Sequence, residues 1–181
     1  KELINSAKLS IFFIDEDQRV TLKDIGRKSE IIKWAQILGA KVTSLKLASQ
    51  FRCNGSDGYL AWIDNVLQIR ETANESLEDI NYNFMVIDNP SALHKKIIEL
   101  NNDNNKSRLL AGYCWKWISK KNPNLKDIVI GNYGATWNLN SHGQSWIIHP
   151  DSVSEVGCIH TSQGLELDYV GVIIGPDLVV R

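Results

Sequence analysis

VGCIHTSQGLELD, residues 156–168, is the stretch whose reading decides the fold. Residues 156–159 form a short apolar run of the kind a buried strand shows. The chemistry then changes within one step. His160, Thr161, Ser162 and Gln163 are polar and compact, Gly164 permits a turn, and Glu166 and Asp168 add acid. Residues 169–174, YVGVII, return to a β-branched run. A strand, a polar turn with a glycine and a second buried strand is how α/β proteins place reactive groups at a strand's carboxyl end. Turn residues of this kind also serve plain connections, so the neighbouring stretches must choose between the two readings.

The bulk properties set bounds. With 181 residues, 43% of them hydrophobic and 23% charged, the chain can bury a core of one domain or slightly more. A formal net charge of -1 excludes a strongly basic coat and leaves room for a local basic groove. No apolar run approaches the roughly 20 residues that span a bilayer, so no membrane partner is expected. Cys53, Cys114 and Cys158 lie far apart and form no CxxC, which reads as reduced thiols of a cytoplasmic protein, the latter two on strands. The four histidines are also scattered, so no metal site is expected. The chain opens on Lys1 and stops at Arg181 just after a strand-like run, which reads as part of a longer protein.

Working outward, residues 9–14 (LSIFFI) read as a buried strand emptying into the acidic residues Asp15, Glu16 and Asp17, followed by Gln18. Ile31, Ile32, Trp34, Ala35 and Leu38 repeat with a helical period, and Gly39 ends it. Residues 42–47 alternate like a strand. After Gln50, Phe51 and Arg52 comes a turn-forming tract in which Asp57 caps a helix bearing Tyr59, Trp62, Ile63, Val66 and Leu67 on one face. Residues 83–87 predict a strand, residues 92–100 a helix with Ser91 as N-cap, and residues 101–105 (NNDNN) its stop. Residues 108–114 predict another strand, so a parallel crossover is expected between these two strands. Trp115 and Trp117 flank Lys116 as a stacking platform for bases, although alternation turns only one of the two inward. Residues 119–151, rich in Asn, Gly, Ser and Trp, read as an irregular insertion with short strands at 128–130 and 146–148, and His142 and His149 as surface residues.

These stretches resemble known motifs. HTSQGLELD resembles motif V of superfamily 1 helicases, roughly His-x-x-Lys/Gln-Gly-x-Glu. Asp15 with Gln18 resembles motif III, with Ile14 where that pattern has glycine, and Gln50-Phe51-Arg52 resembles motif IV. The three follow the order those helicases use. FFIDEDQRV, LASQFRCNGSDGYLAW, LLAGYCW and VGCIHTSQGLELDYVGVIIGPDL are similar to a bacterial family of conserved P-loop ATPases, a domain of unknown function allied to superfamily 1 helicases and to the helicase-like part of Schlafen proteins.

The resemblance implies an α/β, parallel-sheet, three-layer RecA-like P-loop NTPase fold. Residues 1–48 would finish a first RecA-like domain and residues 49–181 would be most of a second, with ATP and Mg²⁺ bound between two such domains in the full-length protein. By the same resemblance Gln18 senses the γ-phosphate, Arg52 binds it and Phe51 lies near the base. Gly164 and Glu166 meet the nucleotide, while His160, Thr161 and Ser162 lie along single-stranded DNA or RNA, with Trp115 as a further contact. Arginine suits a phosphate because its planar fork binds two oxygens and stays charged. The sequence has no GxxxxGK[ST] loop and no stretch matching motif II or motif VI, so the chain alone is expected to be inactive. The partner supplying those groups would be the N-terminal RecA-like domain of the same protein. Two other readings compete with the helicase-like ATPase. One is a nucleotide-dependent switch that translocates nothing; the other is a non-enzymatic nucleic-acid-binding or protein-interaction module.

Overall fold

The computed structural model describes residues 1–16, 26–47, 56–138 and 141–179, and the chain divides into two compact units, Lys1–Gln50 and Phe51–Arg181. In the first unit a short helix α1 (Glu2–Asn5) precedes α2 (Lys28–Ile37). As the sequence predicts, α2 ends at glycine: Gly39 takes φ +69° and the Ala40 amide donates back to the Ala35 carbonyl at 2.9 Å. Residues 9–14 and 42–47, expected as strands, are irregular, with Ile11 72% and Phe13 85% exposed. The described residues of this unit contain no strand to pair with, and an extended segment without a ladder keeps its amides in water.

The second unit opens with α3 (Asp57–Val66), whose cap is Ser56 rather than Asp57: its side chain accepts from the Tyr59 amide at 3.3 Å. Residues 71–84 wrap over α3 without forming the strand expected at 83–87. Tyr82 stacks on Tyr59 with ring centres 3.7 Å apart, and Phe84 meets Trp62 edge-on at 4.9 Å. The aromatic contacts take the place of a ladder, and the crossover expected from that segment is therefore absent. Next, α4 (Pro90–Asn104) starts earlier and ends later than predicted. Asn89 caps it by accepting from the Ser91 and Ala92 amides, and Pro90 occupies the first helical position, where its missing N–H costs nothing. The Asn-rich tail continues the helix because Asn101 is engaged from outside, accepting from the Ser107 amide at 3.1 Å.

The sheet lies after α4. Strand β1 (Ser107–Ala111) is central; a hairpin of β2 (Ile128–Ile130) and β3 (Tyr133–Ala135) follows, then β4 (Val156–Gly157), helix α5 (Ile159–Ser162) and β5 (Tyr169–Ile173). The order is β4-β1-β5 with both pairings parallel, so the chain is α/β with a parallel sheet, the coarse class expected. Leu109 is in register with Val156 and Gly171, and this row faces Leu93 and Ile97 of α4. The next row, Gly157 and Leu110, faces the other way against Trp146. A Cβ on Gly157 would stand 2.6 Å from the Trp146 ring, so this strand must carry glycine for the tryptophan to lie flat on it.

The tract 119–151 belongs to the core rather than to its surface. Trp137 and Trp146 are 0% and 1% exposed, and residues 136–138 extend the sheet beside β4, the Val156 amide donating to the Thr136 carbonyl at 2.9 Å. Buried Asp127 fixes this segment by accepting from the Ser119 and Trp137 amides at 2.7 and 2.8 Å. On α4, His94 Nε2 donates to the Val153 carbonyl, so its Nδ1 accepts from the Tyr133 hydroxyl at 2.9 Å. Burial pushes that hydroxyl up to about 12. The strand expected at 146–148 is instead a turn between 3₁₀ helices Gly143–Ser145 and Pro150–Ser154. His142 is not a surface residue: its side chain is 14% exposed and Nδ1 lies 2.6 Å from the Glu155 carboxylate.

Arg108 holds this second layer. The side chain is wholly buried and donates to Asn101 Oδ1 at 2.6 Å, Asn105 Oδ1 at 2.9 Å, the Ile147 and His149 backbone carbonyls at 2.6 and 3.2 Å, and Ser152 Oγ at 3.1 Å. Its guanidinium also stands 5.5 Å over the Trp146 ring. Burial lowers the guanidinium from its ordinary value, and the nearby Glu155 charge opposes that. Removing one member of such a buried charged network leaves several desolvated acceptors, which costs about 3–5 kcal/mol. Arg108→Ala is therefore expected to lower unfolding free energy by about that much in a urea titration, and Arg108→Lys to recover little of it, since an ammonium lacks the planar fork. A loss under about 1 kcal/mol, as for an exposed pair, would contradict this role.

Candidate nucleic-acid interface

The carboxyl ends of β1 and β4 open on a cleft of about 400 Å³. Two residues past β1, Tyr113 enters it; directly past β4, Cys158 forms its floor; and α5 contributes His160 and Thr161. Trp117, Asn138, Trp146, Ile147, Gly143 and Leu165 complete the lining. This is the position that open parallel sheets give to ligands, because the strand ends leave backbone groups and loops pointing the same way.

A hydrogen-bonded chain runs along one wall. The Tyr113 hydroxyl donates to Cys158 Sγ at 2.9 Å, Sγ lies 3.1 Å from Thr161 Oγ1, and Thr161 Oγ1 donates to Asn138 Oδ1 at 2.8 Å. Because Thr161 spends its proton on Asn138, the thiol is the donor between Cys158 and Thr161, and all donors point from tyrosine to asparagine. Burial pushes the Cys158 thiol up, but its thiolate would accept from the Thr161 hydroxyl, turned to it once the thiol proton has left, from the Tyr113 hydroxyl and from the Thr161 and His160 amides; these outweigh burial, and the thiol is held below its ordinary value. The Tyr113 hydroxyl is pushed above the usual phenol range, first by burial and then by its bond to Cys158.

The residues expected from sequence are distributed unevenly. His160 and Thr161 line the cleft, His160 being exposed with its ring 6.0 Å from Tyr113. Ser162 turns back on α5, donating to the Ile159 carbonyl at 3.2 Å. Gly164 takes φ +83°, a left-handed turn that a Cβ would strain, and Glu166 beyond it is exposed. Trp115 is half-buried against Gly175, whereas its neighbour Trp117 lines the cleft with Lys120 Nζ 4.1 Å above its ring. Gln18, Phe51 and Arg52 lie outside the described residues. Cys114 is not on a strand but in the turn after β1, where burial and then Asp177 raise its thiol. Tyr113 and Asn138 were not singled out from sequence, and Cys158, expected on a strand, lies one residue past the end of β4. Asn138 had no periodicity to mark it, while Tyr113 was hidden in a run that read as strand.

Among the described residues no group of His, Cys, Asp or Glu converges as metal ligands, and no helix is long and apolar enough to cross a membrane. Residues 1–181 match the family described as Schlafen group 3, DNA/RNA helicase domain, and the chain belongs to that family. A Saccharomyces cerevisiae protein described as "Uncharacterized protein YPL245W" is 25% identical over 146 residues, covering 71% of this chain and 31% of that protein. The chain thus spans about a third of that relative's length. No solved structure matches it.

The hydrogen-bonded wall has a titratable consequence. A thiol depressed in the folded chain adds stability above the ordinary cysteine range, and that contribution is lost as pH falls through the folded value. With Cys53→Ser and Cys114→Ser in place, the ultraviolet thiolate signal of Cys158 should rise below the ordinary range, and Tyr113→Phe should move it upward by removing one donor. A titration that Tyr113→Phe leaves unmoved would contradict the network.

Proposed function

We propose that this chain is part of an ATP-dependent, superfamily 1 helicase-like protein with a RecA-like three-layer fold, and that it meets single-stranded DNA or RNA at the cleft of residues 158–165. The observation that carries this reading is the position of the segment: His160 and Thr161 stand at the carboxyl ends of parallel strands, beside aromatic walls, in a chain of a DNA/RNA helicase domain family. Aromatic faces with a cation nearby bind single strands without needing sequence, because every base has a π-face. Trp117 with Lys120 above it provides both elements.

The nucleotide side rests on less of the chain. Gly164 and Glu166 lie on an open turn, no metal-ligand cluster is present among the described residues, and the sequence has no phosphate loop. These residues do not compose a triphosphate cradle, so no step of hydrolysis is assigned to them. In the whole protein we assign Arg52 and Gln18 to the γ-phosphate and Phe51 to the base, with the phosphate loop and Mg²⁺ ligands supplied by another RecA-like domain.

Fluorescence anisotropy of the full chain with labelled single-stranded oligonucleotides tests the reading. Binding is expected at low salt and should weaken steadily as salt rises, since phosphate contacts release counterions. His160→Ala should weaken binding while the melting temperature stays within a degree or so, because exposed substitutions usually change stability by under about 0.5 kcal/mol. Absence of binding at low salt, or equal preference for blunt duplex, would overturn the proposal. The same chain should hydrolyse no ATP above a buffer blank.

A further inference from the structure

We propose that the cleft bounded by Tyr113, Trp117 and Asn138 is a nucleobase subsite that takes one unstacked base of the bound single strand. The inference rests on the nucleic-acid reading above and names what that reading leaves open, namely which part of the strand enters the cleft.

The dimensions agree with a small planar ligand: about 400 Å³ falls at the lower end of cavities that hold small molecules. The walls are aromatic without being spent on each other. Tyr113 and Trp117 are tilted by 35° with centres 6.2 Å apart, so neither ring is stacked face to face on the other. Beneath them Trp137 is fully buried and fixed through its own amide by Asp127, giving the two rings a rigid floor. A backbone phosphate gains nothing from such walls, whereas a base gains stacking area.

The polar groups add direction. Asn138 Oδ1 is occupied by the Thr161 hydroxyl, which fixes the amide so that its NH₂ is the end that can donate. At the other end of the chain the Tyr113 hydroxyl spends its proton on Cys158 and keeps its oxygen as an acceptor. The cleft therefore offers an amide donor suited to a base carbonyl. Lys120, 4.1 Å above the Trp117 ring, and exposed His160 are at hand for the flanking phosphates of an inserted base.

The test compares two oligonucleotides of equal length, thymine-bearing and abasic, by anisotropy with the full chain. The wild type should bind the thymine strand about tenfold more tightly than the abasic strand, a difference that stacking supplies. Trp117→Ala should remove most of that difference, weakening the thymine strand more than the abasic strand. Asn138→Asp keeps the acceptor for Thr161 and removes the amide donor, so it should also reduce the preference for thymine. Equal wild-type binding of the two strands would overturn the subsite while leaving the nucleic-acid reading intact. Equal losses on both strands in Trp117→Ala, with a lowered melting temperature, would show a structural tryptophan and count against the subsite. No binding of either strand would remove the subsite together with the reading on which it rests.

Discussion

The buried guanidinium of Arg108 is the interaction on which the second unit depends. A charge this deep is tolerated only where its donors are met, and here two stretches of the chain meet them: Asn101 and Asn105 at the end of α4, and the Ile147 and His149 carbonyls with Ser152 Oγ, beside the Trp146 ring under the guanidinium. The polar satisfaction explains two departures from simple sequence rules. An asparagine-rich tail stays helical because its side chains serve the arginine and β1. A tract that composition marks as an irregular insertion instead supplies a packed layer, because its carbonyls are required acceptors.

The consequence reaches the cleft through Trp146. The arginine fixes that ring above Gly157 and Leu110, and the carboxyl end of β4 then delivers Cys158 and α5 to a defined position. From there a directional run of donors, Tyr113 to Cys158 to Thr161 to Asn138, joins three segments distant in sequence. Although only Cys158 in it is buried, such a run of bonds fixes side-chain orientation more strictly than apolar packing would. Orientation is what a site for a planar base requires.

Much of the architecture was legible in the sequence where local signals agree with tertiary contacts. The apolar run of β1, the β5 run, the helix ended by Gly39 and the turn at Gly164 follow from periodicity and backbone preference. Segments 9–14, 42–47 and 83–87 did not follow. Their composition favours strands, but a strand also needs a partner, and no single-sequence pattern states whether one is present. For the site, the motif-like residues His160 and Thr161 were visible because they lie together. Asn138 and Tyr113 reach the cleft only through the sheet's register, and nothing in their immediate sequence marks them. Trp115 and Trp117 had the same local signal; the close approach of Gly175 to Trp115 selects Trp117 for the cleft.

Photo-crosslinking measures the central claim most directly. A single-stranded oligonucleotide bearing iodouracil is irradiated with the full chain, and the modified peptides are mapped by mass spectrometry. The account predicts that crosslinks concentrate on Tyr113, Trp117 and His160, where a base and the aromatic walls are in contact. Crosslinks confined to peptides that contain none of these three residues would contradict it.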